Sequence, residues 1–224
     1  MDEFIDAFFN FGILAEAWPI LLAGLGQTLL LSAVVVPLGL LGGLILALLS
    51  TVRTRWVRWP LMAWVDIFRS LPPLVLLIFI YAGLPFAGLE VSAFGAVAIG
   101  FFLNTGAYYG EIMRAGIASV PAGQMEAARS LGLSRGHAMW LVVLPQAVRN
   151  VLPDLISNTL EVVKLTSIAA VVALPELLFQ ARQAQSVTFN ATPIMAAAVA
   201  YFILLWPVVR LLSTLENKQI ARRN

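Results

Sequence analysis

AWPILLAGLGQTLLLSAVVVPLGLLGGLILALLSTV, residues 17–52, carries no charged side chain anywhere between Glu16 and Arg53. About 20 apolar residues suffice to cross a ~30 Å hydrocarbon core, so this stretch reads as one long tilted membrane span. We place it at about 21–49. Pro37 and the Gly39/Gly43 pair fall inside it, and membrane helices tolerate both residue types. The whole chain has the same character. Of its 224 residues 60% are hydrophobic and 12% charged, roughly half the charge of a soluble domain. Such a chain cannot cover a water-facing surface, and it reads as a single membrane domain, 1–224.

Just beyond this span, Arg53, Arg55 and Arg58 alternate with Trp56 and Trp59 as an interfacial anchor, an arrangement that fits lipid better than nucleic acid. Further spans are expected at about 60–82, 92–115, 150–172 and 190–212. Five spans place the termini on opposite sides. One set of loops holds Arg53, Arg55, Arg58, Arg129, Arg135, Arg149, Lys218, Arg222 and Arg223; the other holds Arg182 beside Asp2, Glu3, Asp6, Glu16, Glu90 and Glu176. The positive-inside rule makes the first set cytoplasmic, with the amino terminus outside and the carboxyl terminus inside. The acidic amino terminus argues against a signal peptide, and with Phe8, Phe9, Phe11 and Ile13 it suits a short interfacial helix.

The polar segment of about 116–149 interrupts the hydrophobic pattern. Ser119 and Pro121 suit the start of one short helix and Gly132 its end; Ser134 suits the cap of a second, running to Leu144 before Pro145. Two short helices along the membrane face make a docking surface, the alternative being an ordinary solvated loop.

Glu126-Ala127-Ala128, three residues, Gly132, nine residues, then Val142-Val143-Leu144-Pro145 resembles the EAA loop of binding-protein-dependent ABC importers, departing from it only in Val142 for Ile. Phe68–Pro72, Ala107–Arg114, Val163–Ile168 and Leu174–Leu178 resemble the polar amino-acid uptake branch. The resemblance implies an all-α, five-helix permease of the type I importer kind, working by alternating access in a bacterial inner membrane. It implies that Glu126, Ala127, Ala128, Gly132, Leu144 and Pro145 couple to an ATPase, the two alanines allowing close approach and Glu126 offering a charge. It implies as partners ABC ATPase subunits, an identical or homologous second permease, a periplasmic substrate-binding protein, an amino-acid substrate and membrane lipid, but no nucleic acid. No cofactor is expected on this chain; ATP and Mg belong to the ATPase.

Ionisable groups inside a span are expensive and mark function. Asn104, Tyr108 and Glu111 share one face of the third span; on the fourth, Asp154, Asn158 and Glu161 share one face and Ser157, Glu161 and Lys164 an overlapping one. A zwitterion needs donors for its carboxylate and acceptors for its ammonium. Lys164, Thr166, Ser167 and the backbone opened by Pro72-Pro73 near Ser70 and Leu71 are candidates for the first; Glu161, Asn158 and Asn104 for the second. The bland alternative is that Glu161 pairs with Lys164, as Glu111 does with Arg114. Two departures from the family pattern limit what the resemblance implies, Leu165 where Asp is frequent and Ser70-Leu71 where Gly-Thr is frequent; the carboxylate missing at 165 argues against a cationic side chain held in the membrane site.

Other motifs fall away. There are no cysteines and one histidine, His137, which excludes thiolate chemistry and zinc motifs needing two histidines. Gly132-Leu133-Ser134-Arg135-Gly136 has the spacing of a hydrolase elbow but comes after a helix rather than a strand. The only lysines, Lys164 and Lys218, leave no P-loop. Gly39/Gly43 and Gly106/Gly110 read as close helix contacts within one subunit in preference to a dimer seam. Opines or other amino-acid derivatives are the alternative substrates, and an ion-coupled secondary transporter is the rival of another class.

Overall fold

The computed structural model describes residues 2–52 and 54–223; Arg53 lies outside them, as do the side chains of Lys218, Arg222 and Arg223 counted above. The fold is helical throughout, with no strand among the described residues. A short α1 (Asp2–Phe8) precedes α2 (Phe11–Ser50), a single helix of 40 residues. At 1.5 Å per residue α2 is about 60 Å long. It starts ten residues before the expected span because Asn10 caps it, accepting from the Ile13 N–H at 3.0 Å. Pro19 and Pro37 are both absorbed.

The burial of α2 runs along a narrow stripe: Ala17, Leu21, Gly24, Thr28, Leu31, Val35, Gly39, Gly43 and Ala47. These are spaced three and four apart, one helix face. Against it packs α5 (Ala93–Ala118), capped by Ser92 and carrying twelve buried residues, the centre of the bundle. The two Gly-x-x-x-Gly motifs meet each other here. A Cβ on Gly43 would fall 2.7 Å from the Gly110 nitrogen, and the Gly43 carbonyl lies 3.5 Å from a Cβ on Gly110. The glycines are packed within the subunit.

The segment of the expected second span is broken at the proline pair, as the sequence suggests: α3 (Arg55–Ser70) stops before Pro72-Pro73, and the chain turns through 100° into α4 (Pro73–Ile78), which continues through a π turn and then a 3-10 turn to Ala87. α3 buries no residue. The polar segment forms α6 (Ala122–Ser130), α7 (Arg135–Ala138) and α8 (Leu144–Asn150). Then come α9 (Leu152–Leu165), tightening into a 3-10 turn from Thr166 to Val172, α10 (Leu177–Thr188) and α11 (Thr192–Arg223). Among the described residues three stretches are long and apolar enough to cross a membrane, 6–50, 152–172 and 192–214, and the bent pair makes a fourth. α5 has the length, 26 residues, but carries Asn104, Thr105, Glu111 and Arg114 and is shielded by its neighbours.

The two ends of the bundle differ. At one, α1 is tied to the start of α11 by Asn190 donating to Asp6 O and the Ala191 N–H donating to Ala7 O. There α10 wedges against α2, the Leu177 N–H donating to Thr28 Oγ1 at 3.1 Å. Glu176 is fully buried and caps α10, accepting from the Leu178 and Phe179 N–H groups and from Tyr201 Oη. Burial pushes its carboxyl above the ordinary 4.5, against the pull of those donors. At the other end Asn150 Nδ2 donates to Ser119 Oγ, closing the polar segment into a loop under α5.

Candidate functional site

The polar segment folds into a structured surface. Gly132, at φ +87°, terminates α6. The Gly132 N–H donates to Arg129 O at 3.0 Å and the Leu133 N–H to Ala128 O at 3.2 Å, the paired bonds of a Schellman turn that glycine alone enters without strain. Ser134 caps α7 as expected, accepting from the His137 N–H, and its hydroxyl lies 2.7 Å from His137 Nδ1. That cap accounts for the elbow-like spacing.

Three expectations change here. Ser119 does not cap α6; its hydroxyl donates back to Gly116 O at 2.7 Å at the end of α5, and α6 starts directly after Pro121. The second helix does not stop before Pro145. It runs on to Asn150 through a π turn at Met139–Val143, because the wider turn accommodates a proline ring that offers no N–H. Gln146 Nε2 donates to the Val142 carbonyl at 2.8 Å and reaches Gln124 at 3.2 Å, tying α8 to α6.

The third change concerns which residues face outward. Ala128 and Leu144 are buried within the isolated subunit, beneath the surface that the rest of the motif presents. Val120, Val143 and Ala147 pack beneath it with Met125 and Met139. Glu126, Ala127, Gly132 and Pro145 are exposed. Arg129 donates to Leu133 O, and among the described residues Glu126 has no ion pair. Leu131, 85% exposed, and Leu141 and Trp140 add apolar surface that the motif did not point to. The signal was there in an apolar side chain at a tight turn inside a polar segment.

The polar residues at membrane depth divide into two places. On α9, Glu161 and Lys164 form an ion pair, both exposed on the subunit. Thr166 is buried, with its hydroxyl donated to Val163 O, and the Ser167 hydroxyl is donated to Lys164 O. In the isolated subunit each of these three groups has a partner within its own helix stretch, and Lys164 stays half exposed beside Glu161. Nearby, Tyr109 Oη and Thr159 Oγ1 are 2.7 Å apart, while Asn158 Nδ2 is buried with no partner among the described residues.

The second place is a cavity of about 490 Å³ between α2, α3 and α5. Its charged lining is Arg58, Asp66, Arg69, Glu111 and Arg114, with Ser50 and Thr51 at one end. Glu111 and Arg114 hold each other by two hydrogen bonds, at 2.8 and 2.6 Å. Among the described residues Arg58 and Asp66 have no ion pair. None of Asn158, Glu161 and Lys164 lines this cavity. Asn104, Tyr108, Ser70 and Leu71 do not line it either; Asn104 and Tyr108 join α5 to the end of α3, donating to Phe68 O at 2.7 Å and Arg69 O at 3.2 Å. The sequence reading did not single out Asp66 and took Arg58 as an interfacial anchor. Arg58, Asp66 and Arg69 fall at helical spacings on α3, with the apolar Met62 between the first two.

The geometry defines an all-helical membrane bundle, with charged side chains lining a cavity between α2, α3 and α5 and a structured polar loop at one end. The comparisons narrow this. A family model described as "Binding-protein-dependent transport system inner membrane component" matches residues 39–221. A probable amino-acid ABC transporter permease protein of Bacillus subtilis (strain 168) is 36% identical over 209 residues, covering 93% of this chain and 91% of that one. The arginine transport system permease protein of the same bacterium is 32% identical over 207 residues, 92% of each chain. A crystal structure of an amino acid ABC transporter with histidines matches at TM-score 0.83 and 35% identity, over 93% of this chain and 98% of that one. The inward-facing MetNI methionine ABC transporter shares the fold, at TM-score 0.74 and 20% identity over 88% of this chain and 96% of that one.

The chain belongs to the binding-protein-dependent transport system inner membrane component family. It is a permease subunit of the type I ABC importer fold, not itself an enzyme, and it works with an ATPase and a substrate-binding protein.

Proposed function

We propose that this permease carries polar amino acids across a bacterial inner membrane, and that the charged cavity between α2, α3 and α5 forms part of the route. The observation that carries this reading is the mixture of signs in the cavity: Arg58 and Arg69 suit a carboxylate and Asp66 suits an ammonium, the two ends of a zwitterion. The relatives' names, amino-acid and arginine permeases, support the substrate class. The same chemistry admits opines and other amino-acid derivatives.

In this reading the chain crosses the membrane five times, α5 being the third span, with the amino terminus outside and the carboxyl terminus inside. The exposed surface of Glu126, Ala127, Leu131 and Gly132 docks the ATPase, which holds ATP and Mg. The Glu161–Lys164 pair is exposed at membrane depth, where lipid is a poor neighbour for charge, so a second permease or the aqueous path between two permeases covers it. The test is direct substrate binding to the purified importer complex without its binding protein. Asp66→Asn and Arg69→Gln should each weaken binding of a labelled polar amino acid at least about tenfold, or ~1.4 kcal/mol. Unchanged binding in both variants would remove the cavity from the route.

A further inference from the structure

α3 ends where it does because two prolines come directly after it. In an α-helix the carbonyl of residue i accepts from the N–H of residue i+4. The acceptor at Phe68 is therefore matched to residue 72, and that at Arg69 to residue 73. Both are proline and have no N–H. Two consecutive carbonyls are left open at a depth where unpaired backbone groups cost several kcal/mol each. The Leu71 N–H still donates to Ile67 O at 3.1 Å, so the helix is intact up to that point.

α5 supplies both missing donors. Asn104 Nδ2 donates to Phe68 O at 2.7 Å and Tyr108 Oη donates to Arg69 O at 3.2 Å. The two side chains are four apart on α5, one above the other on a single face. The contacts differ in kind. Asn104 is 2% exposed and its bond is short; Tyr108 is 36% exposed and its bond is long. Tyr108 does a second job, because the Arg69 guanidinium carbon stands 5.3 Å from the centre of its ring. Arg69 is thereby held at both its backbone and its charged end, on the side chain's way into the cavity.

We infer that Asn104 and Tyr108 are positioning residues, surrogate donors that replace the N–H groups of Pro72 and Pro73, fix the bend between α3 and α4, and aim Arg69 into the charged cavity. Asn104 is the fixed anchor. Tyr108 is the contact that yields when α3 moves relative to α5. The inference rests on the cavity's being part of the substrate route.

The experiment uses the assembled importer complex, reading substrate affinity with a labelled polar amino acid and, separately, the apparent Tm. Tyr108→Phe keeps the ring and removes the donor; Tyr108→Leu removes both. The expected result is a loss of affinity of about threefold for Tyr108→Phe and at least about tenfold for Tyr108→Leu, from loss of the cation–π contact as well, with Tm close to wild type. Asn104→Leu should lower both Tm and affinity. Combining it with Pro72→Ala returns an N–H to position 72, and should restore Tm without restoring affinity, because the bend is then no longer held. Recovery of affinity together with Tm would make Asn104 a structural donor only and overturn the inference. So would Tyr108→Leu with wild-type affinity in a complex where Arg69→Gln binds weakly; that outcome leaves the cavity standing. Wild-type affinity in both Tyr108→Leu and Arg69→Gln would overturn the cavity reading and the positioning role with it.

Discussion

Gly43→Ala adds one methyl group where α2 touches the backbone of α5. The new Cβ would stand 2.5 Å from Tyr109 Cβ, 2.7 Å from the Gly110 nitrogen and 2.8 Å from the Tyr109 carbonyl carbon. Carbon atoms pack at about 3.5–4.0 Å, so each contact is short by roughly 1 Å. Two of the three neighbours are main-chain atoms, and no rotamer change relieves them. α5 must move away from α2 along the largest helix contact in the fold, with Leu31, Val35, Phe101 and Tyr109 in the same core. Overpacking of this kind costs about 1–3 kcal/mol, partly offset by the ~1 kcal/mol that alanine gains over glycine in a helix. The net loss against wild type is about 0–2 kcal/mol, a fall in Tm of up to roughly 8 °C, and the loss against a clash-free glycine-to-alanine change in the same helix is about 1–3 kcal/mol. Gly26→Ala is the control, since nothing lies within 4 Å of its Cβ, and it should match or exceed wild type. Thermal unfolding in one detergent, monitored by tryptophan fluorescence, measures both. Gly43→Ala as stable as Gly26→Ala would refute the packing argument.

Gly132→Asp should abolish ATPase co-purification and uptake while membrane insertion stays normal, because an L residue at φ +87° strains the turn by about 1–2 kcal/mol and a charge enters the docking surface; normal co-purification would count against the docking assignment. Glu176 gives a pH signature. Its folded-state pKa is raised, so its share of stability is present below about 4.5 and is lost as pH rises through the raised value. The Tm of wild type minus that of Glu176→Gln should therefore fall with increasing pH above 4.5, and a flat difference would show that Glu176 does not titrate in the fold. Lys164→Met strands the Glu161 carboxylate and should lower uptake at least about tenfold. Adding Glu161→Gln should restore most of it; failure to do so would reassign Lys164 to direct substrate contact.

The sequence announced the fold class because charge is so scarce between Glu16 and Arg53 and between Arg182 and Arg210 that only a membrane interior fits. In the polar segment the Gly132 turn and the Ser134 cap were legible, being local features set by a few adjacent residues, while the Ser119 cap and the stop before Pro145 were not, because α5 and the π turn at 139–143 decide them. What could not be read was which side of each helix is covered. α2 is apolar all round, so hydropathy hides the stripe from Ala17 to Ala47 that packs on α5 and α10. Ala128 and Leu144 belong to a motif that resembles a docking surface, yet tertiary packing turns them inward. The prolines at 72 and 73 were visible as a break, but the donors that answer it, Asn104 and Tyr108, are more than thirty residues away. Read as substrate ligands from their shared helix face, they prove to be bonded to α3. Arg58 was read only as an interfacial anchor and Asp66 was not singled out, because nothing local shows that a cavity between three helices brings them together.

The most direct test is uptake by proteoliposomes holding the assembled complex, with MgATP available to the ATPase and a labelled polar amino acid supplied on the binding protein. The account predicts accumulation only when ATP and binding protein are both present, with no dependence on an imposed ion gradient. Accumulation driven by an ion gradient without ATP would contradict it.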